Sequence, residues 1–232
     1  MAPALSRPPA CATPGLHGAR GVVINAPMLA RLYARFGLPA WYYLALAAIA
    51  LAAQLQPAWR EVLIYDRAAV ATGEWWRLWS GHLVHFGWPH FVADTGLLLI
   101  IGWTLAKEFP RAAWVGLVLL PPVITGAIFW IDPEMTRYAG LSAVNLGLLL
   151  LLAARGWKGD LRDWFWPAIV VIYVVELGYE IWKGGQGGGF ITFDEPGVKV
   201  ATSAHLVAVG YALVAWAGAV GLDRWRARGV GR

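Results

Sequence analysis

The sequence predicts an all-α polytopic membrane protein with six transmembrane helices. Its composition, its long apolar stretches and the placement of its basic residues all support this class. The chain has 232 residues, of which 59% are hydrophobic and 14% are charged. Soluble domains average roughly 45–50% apolar and about 25% charged residues. This balance excludes an ordinary soluble domain, and it excludes a disordered chain because disorder requires low hydrophobicity and high charge.

Six stretches of the chain are long and apolar enough to cross a bilayer, which takes about 20 residues in a helix. We place them at about residues 40–56, 82–106, 112–131, 138–154, 164–182 and 199–220. Pro121 and Pro122 lie inside the third stretch and are expected to kink it, because proline cannot donate a backbone hydrogen bond. The six spans are expected to form one membrane domain over residues 38–222.

The basic residues predict the orientation of the spans. With the N-terminus in the cytoplasm, thirteen of the 19 Lys and Arg residues fall in cytoplasmic segments. Because cytoplasmic loops carry an excess of basic residues, both termini are expected inside a bacterial inner membrane. Residues 1–37 lack the apolar core of a signal peptide and are interpreted as a cytoplasmic tail. Residues 27–36 form either a short amphipathic helix on the membrane or plain tail, and residues 223–232 are a basic cytoplasmic tail.

Two segments outside the membrane have a distinct composition. Residues 57–81 form a long, tryptophan-rich first loop, which is typical of a segment lying in the membrane interface. Residues 183–198 are rich in glycine and are either a hinge that lets the fifth span tilt or a plain connector. The single cysteine, Cys11, excludes a disulfide within the chain and any site built from several cysteines.

Several ionisable side chains lie inside the apolar stretches, where they are costly and therefore indicate function. They are His82, His85, His90, Asp94, Glu176, Glu180 and His205. A metal site, a transport path and a catalytic site are the three hypotheses. No His-Glu-x-x-His signature of a zinc protease is present, and spans one and three carry no charge for a transport path. We expect neither a metal nor a cofactor.

The catalytic hypothesis depends on two short motifs, Gly140-Leu141-Ser142-Ala143 and Ser203-Ala204-His205. Glycine before a serine lets other groups approach the hydroxyl closely. A serine becomes a nucleophile when a base lies beside it, and histidine is the usual base. Taken separately, a serine such as Ser142 is usually a helix residue bonded to its own backbone, and a histidine such as His205 is usually a packing residue.

Over residues 73–212 the chain resembles the rhomboid family of intramembrane serine proteases. The resemblance rests on an ordered set of motifs: Trp76-Arg77, the histidine-rich stretch from Gly81 to His90, Gly102 with Glu108, Gly140-x-Ser142, and Ala204-His205. Within the family it looks most like the rhombosortase branch, because of the Gly-Leu-Ser form, His90-x-x-x-Asp94, and Glu176 with Glu180 in span five.

The resemblance implies a function and a set of site residues. Ser142 and His205 are expected to form a catalytic dyad whose imidazole is oriented by packing alone. His90 and the backbone N–H of Ser142 are the expected oxyanion donors, with Gly140, Asp94 and Asn145 in support. The expected substrates are membrane proteins with a transmembrane helix or a C-terminal Gly-Gly-type sorting tag, cleaved near the outer membrane face; the lipid bilayer, but no nucleic acid, is a partner.

Three further residues are expected to gate or recognise the substrate: Trp76, Glu176 and Glu180. Alternatively, the two glutamates pair within the protein, with Arg137 or Lys183 as partners.

Five positions depart from the family pattern. Ala143 replaces a glycine, Asp94 an asparagine, Leu146 an aromatic residue that stacks on the histidine, and Ala208 with Ala212 a pair of glycines. Asp94 is expected to accept the N–H of His90; the alternative is a protonated Asp94. These departures keep open an inactive rhomboid-like protein that binds membrane helices, and a small transporter is the third class.

Overall fold

The computed structural model describes residues 41–157, 164–184 and 198–229, and these are predominantly helical. The predicted tail at residues 1–37, with its amphipathic helix at 27–36, lies outside the described residues. So does most of the glycine-rich segment, over residues 185–197.

Six long helices and several short elements follow one another along the chain. They are α1 Trp41–Leu55, α2 Pro57–Leu63, β1 Tyr65–Asp66, α3 Arg67–Ala71, α4 Arg77–Ser80, a 3-10 turn Gly81–Leu83, α5 Trp88–Glu108, α6 Pro110–Ile131, β2 Arg137–Tyr138, α7 Ser142–Gly156, α8 Phe165–Trp182 and α9 Thr202–Gly229.

The described helices form a membrane bundle. Four of them are long and apolar enough to span a bilayer, namely α5, α6, α8 and the Thr202–Leu222 part of α9. Helices α1 and α7 are apolar and 15 residues long. The predicted class, an all-α polytopic membrane bundle, is confirmed.

The observed helix ends differ from the predicted spans in three places. Span two begins at Trp88 rather than at residue 82, because Gly87 has a φ of +100° and Pro89 occupies the first turn of α5. Span four begins at Ser142 rather than at residue 138, because the residues before it are extended in β2. Helix α9 continues to Gly229, beyond the predicted start of the C-terminal tail at residue 223.

Helix α7 lies at the centre of the bundle, where most of its side chains are buried between α5, α6 and α9. Small residues allow the neighbouring helices to approach closely. A Cβ atom on Gly147 would lie 2.5 Å from a methyl group of Leu120 in α6. On the other side, Ala204, Ala208 and Ala212 form a buried stripe on α9. The alanines that replace the family's glycines therefore still permit tight packing.

The outer helices are held in different ways. Helix α1 packs on α5 where the ring of Tyr43 covers Gly102, at whose position a Cβ atom would lie 2.5 Å from the ring. Helix α8 is attached more loosely. None of its 18 residues, all of which are described, is fully buried, although Trp166 covers Gly156 at the end of α7.

The two prolines do not end α6, which continues from Pro110 to Ile131. Because Pro122 has no N–H, the carbonyl of Val118 lacks its usual helical donor. The indole Nε1 of Trp79 donates to that carbonyl at 2.9 Å. The proline pair thus creates an attachment point for the first loop.

The first loop is a folded platform. Its centre is the buried guanidinium of Arg77, which donates to the carbonyls of Glu61 at 2.9 Å and Ile64 at 2.6 Å and to the carboxylate of Glu74 at 2.7 Å. Strand β1 pairs antiparallel with β2, which places Tyr65 opposite Tyr138. The platform is therefore joined to the segment that leads directly into α7.

Candidate active site

Ser142 is the first residue of α7, and the turn before it requires a glycine. Gly140 has a φ of +114°, a backbone conformation that residues with a Cβ atom rarely adopt. A Cβ atom there would also lie 2.8 Å from His90 Nε2 and 3.3 Å from Asp94 Oδ2. The glycine two residues before the serine is thus needed both for the turn and for the close approach of α5.

The hydroxyl of Ser142 lies beside the imidazole of His205. The distance from Oγ to Nε2 is 3.0 Å, which is hydrogen-bond distance. His205 is in the first turn of α9, where Ala204 is buried against the core. The hydroxyl of Ser203 donates to Asp132 at 2.7 Å and ties the start of α9 to the end of α6. The structure therefore brings together two residues that are 63 positions apart in the chain.

The second ring nitrogen of His205 contacts Glu180 of α8. The distance from Nδ1 to Oε2 is 2.7 Å, and the two side chains are only 10% and 14% exposed. The sequence predicted instead that packing alone orients the imidazole. That prediction was wrong, because α8 turns Glu180 inward onto His205. Of the internal partners that the sequence offered for the glutamates, Arg137 forms an ion pair with Glu61 instead, and a contact of Glu180 with the substrate stays a prediction.

Asp94 links α5 to the turn before Ser142. One of its oxygens, Oδ2, lies 3.0 Å from His90 Nε2 and accepts the backbone N–H of Leu141 at 2.8 Å. His90 Nδ1 accepts the N–H of Phe86 at 3.2 Å. In a neutral imidazole the proton is then on Nε2, facing Asp94. Asp94 thereby fixes both the His90 ring and the backbone that carries Ser142.

Three further polar side chains near the turn contact backbone groups. Asn145 Nδ2 donates to the carbonyl of Asp94 at 2.9 Å and so joins α7 to α5. The ring nitrogens of His82 lie 3.2 Å from the carbonyl of Gly140 and 3.1 Å from that of Pro121. The hydroxyl of Tyr138 donates to the carbonyl of Gly140 at 3.2 Å. These side chains stabilise irregular backbone at membrane depth.

Two cavities meet at Ser142. The larger, of about 550 Å³, lies between α5, α7, α8 and α9. It is mainly apolar, and Ile100 and Ile172 on its wall are 68% and 53% exposed, so it opens on the side of the bundle. The smaller, of about 60 Å³, is lined by His90, Arg137, Lys199 and neighbouring residues. Ser142 is thus reached from the lipid side and from the loop side.

The structure separates the three residues that the sequence grouped as a gate. Glu176 and Glu180 both line the large cavity. Trp76 lines neither of the two cavities at Ser142; its half-exposed indole donates to the carbonyl of Val62 at 3.4 Å.

The clustered histidines do not form a metal centre in the described part of the chain. No group of three or more His, Cys, Asp or Glu side chains among the described residues is arranged to hold a metal ion. His82 is paired with backbone carbonyls, as described above. His85 Nε2 lies 3.6 Å from Asp94 Oδ2, in the same network as His90.

The fold and the site together define the class of the protein. It is a helical membrane bundle in which a serine at the end of the central helix contacts a histidine on a neighbouring helix. The chain belongs to the Rhomboid domain family, whose model matches residues 72–220. It is similar to the Rhomboid protease GluP of Bacillus subtilis (strain 168), with 30% identity over 134 residues. The similar region is 54% of this chain and 26% of that protein, so the chain matches about a quarter of the length of this relative.

The close contact at Gly140 predicts the effect of adding a methyl group. Gly140→Ala is expected to lower the free energy of unfolding by about 1–3 kcal/mol more than Gly73→Ala, because its Cβ atom collides with His90. Gly73 is a matched control, since its φ is +109° but nothing lies within 4 Å of its Cβ position. Thermal unfolding in detergent, followed by tryptophan fluorescence, measures the difference. Equal destabilisation by the two substitutions would contradict the prediction.

Proposed function

We propose that the chain is an intramembrane serine protease whose nucleophile is Ser142 and whose general base is His205. The observation that carries the proposal is the 3.0 Å contact between Ser142 Oγ and His205 Nε2 inside a membrane bundle. The family membership and the similarity to a rhomboid protease support it. A partly buried serine–histidine pair that borders two cavities is suited to acyl transfer.

The proposed reaction has two stages. His205 Nε2 takes the hydroxyl proton as Ser142 Oγ attacks the peptide carbonyl, and it then gives that proton to the leaving amine. The acyl group remains on Ser142. A water molecule, activated by the same imidazole, then attacks the ester, releases the carboxylic acid product and restores the hydroxyl. Water can enter through the small cavity on the loop side.

The developing oxyanion needs donors that are fixed before the reaction starts. Ser142 begins α7, so the first N–H groups of this helix have no partner within the helix, and no side chain caps them. We therefore assign the backbone N–H of Ser142 as the main donor. His90 borders the same small cavity, but its Nε2 proton is directed to Asp94. His90, Asp94 and Asn145 then act mainly by holding the turn.

The shape of the two cavities supports a helix-anchored substrate. The large apolar cavity between α5 and α8 can admit a segment from the lipid side. The small cavity leaves room for only a small side chain next to the scissile bond. Together with the resemblance to rhombosortases, this supports the finer proposal that the substrates carry a C-terminal Gly-Gly-type sorting tag.

A serine-directed fluorophosphonate probe tests the nucleophile and base without a known substrate. The probe is expected to label the wild-type protein in detergent, whereas Ser142→Ala and His205→Ala abolish labelling. Ser203→Ala is the control, since Ser203 contacts Asp132 rather than the reacting pair. A folded wild-type protein that is not labelled would favour the inactive, helix-binding alternative. Labelling of Ser142→Ala would mean that another residue is the nucleophile.

The tag proposal has its own test, with a reporter that ends in two glycines, a hydrophobic helix and basic residues. The wild-type protein is expected to cleave it, and replacing both glycines with valine is expected to slow cleavage by about 5- to 150-fold. Forcing extra volume into a tight site costs roughly 1–3 kcal/mol, and 1.4 kcal/mol corresponds to about tenfold. The Ser142→Ala variant controls for background proteolysis. Equal cleavage of both reporters would overturn the tag proposal and leave the protease proposal standing.

We also propose that both termini are cytoplasmic and that the membrane is a bacterial inner membrane. The single Cys11 allows a direct test in an expressing bacterium. A membrane-impermeant maleimide is expected to label Cys11 only after the cells are permeabilised. In the matched control, Cys11→Ser with Glu134→Cys, the new cysteine is in the exposed segment before β2 and should be labelled in intact cells. The reverse pattern would invert the topology.

A further inference from the structure

We propose that Glu180 is a positioning residue for His205, so that the reacting unit is a Ser142–His205–Glu180 triad drawn from three helices. The inference rests on the proposed protease function. It assigns to Glu180 a role within the site rather than toward the substrate, and it replaces a dyad oriented by packing with one oriented by a hydrogen bond.

The hydrogen bonds define the tautomer of His205. For Nε2 to accept the Ser142 proton, it must carry a lone pair, and the ring proton must then be on Nδ1. A carboxylate can only accept, so Oε2 of Glu180 at 2.7 Å is a suitable partner for an Nδ1–H group. The opposite tautomer would place a lone pair against the carboxylate and a proton against Ser142 Oγ. Glu180 therefore selects the form of the imidazole that can act as a base.

The surroundings strengthen this hydrogen bond. Both side chains are largely removed from solvent, and the cavity around them is mainly apolar. Electrostatic attraction is stronger in such a medium than in water, and hydrogen bonds to an ionised acceptor are about twice as strong as neutral ones. When His205 receives the serine proton, the carboxylate stabilises the resulting imidazolium and remains ionised itself.

The helix ends give a second, independent reason for pairing these two groups. His205 is in the first turn of α9, where the partial positive charge of the helix N-terminus disfavours an imidazolium. Glu180 is in the last turn of α8, where a carboxylate is disfavoured in the same way. Placing the two groups in contact offsets both costs.

Glu176 provides a matched control. It lies one turn before Glu180 on the same helix and lines the same cavity. Within the described residues it forms no hydrogen bond or ion pair with His205, whereas Glu180 forms both. Glu176→Gln and Glu180→Gln therefore both remove a carboxylate from the cavity. Only Glu180→Gln also removes the carboxylate that contacts His205.

The first readout is the rate of fluorophosphonate labelling, measured with thermal unfolding to show that each variant is folded. Glu180→Gln is expected to lower the rate by about 10²–10⁴-fold, in line with the loss of a carboxylate that orients a catalytic histidine. Glu180→Asp, which keeps the charge on a shorter side chain, should recover at least about tenfold of that loss. Glu176→Gln should lower the rate at least about tenfold less than Glu180→Gln, because it leaves the contact between Glu180 and His205 in place.

The second readout is independent of activity. In protein labelled with ¹⁵N-histidine, the Nδ1–H signal of His205 is assigned by its absence in His205→Ala. It is expected in the wild type and in Glu176→Gln, and it should be lost or strongly shifted in Glu180→Gln. A change in fold alone would move the signals of the other histidines as well.

The outcomes distinguish this inference from the protease proposal. If the wild type is labelled and Glu180→Gln is labelled at a similar rate, or keeps the same Nδ1–H signal, the positioning role is overturned while the protease function stands. If the folded wild type is not labelled at all, the protease function fails and the positioning role fails with it. If the wild type is labelled and Glu180→Gln is labelled much more slowly than Glu176→Gln, with an unchanged unfolding temperature, the result supports both the protease function and the positioning role.

Discussion

The length of α7 is the constraint on which the rest of the structure depends. Its 15 residues give a helix of about 22 Å, shorter than the roughly 30 Å hydrocarbon core, so one end lies within the membrane. The polar partners gathered at the Ser142 end identify it as the recessed one. Backbone that leaves a helix at this depth has to be paired by the protein. Asp94 satisfies the N–H of Leu141, and Tyr138 satisfies the carbonyl of Gly140. The first-loop platform, held by Arg77, supports this recessed turn from the loop side.

The residues of the proposed site are contributed by three different helices. The proposed nucleophile is on the most deeply buried helix, the proposed base is on α9, which packs tightly against it, and the acceptor for the base is on α8. Helix α8 has no fully buried residue and borders the large cavity that opens toward lipid. In the proposed mechanism, substrate access and orientation of the imidazole therefore depend on the same helix. Any displacement of α8 that widens the cavity also moves Glu180 relative to His205, so the proposed chemistry requires α8 to return to its packed position.

Much of this arrangement could be predicted from the sequence, for identifiable reasons. Long apolar stretches fix the existence of the helices, and the glycine before Ser142 signals a tight turn. The start of α5 was placed too early because the apolar stretch continues through residues 82–87, although Gly87 and Pro89 were the available signal. The contact between Glu180 and His205 could not be predicted, because the two residues are 25 positions apart on different helices and only the rotation of α8 decides which way Glu180 points. Helical spacing placed Glu176 and Glu180 on one face but could not say what that face meets.

The contact between Glu180 and His205 helps to explain one departure from the family pattern, at Leu146. The resemblance implies that relatives carry an aromatic residue four positions after the serine, stacked on the histidine. Leu146 occupies that position here, and it borders the cavity shared with His205. An aliphatic side chain can limit the space around an imidazole, but it cannot distinguish its two tautomers. A carboxylate acceptor at Nδ1 fixes both the plane and the tautomer of the ring. Leu146 and the inward-facing Glu180 are thus consistent with each other, because a directional hydrogen bond holds the ring at the point where the resemblance implies a stacking contact in relatives.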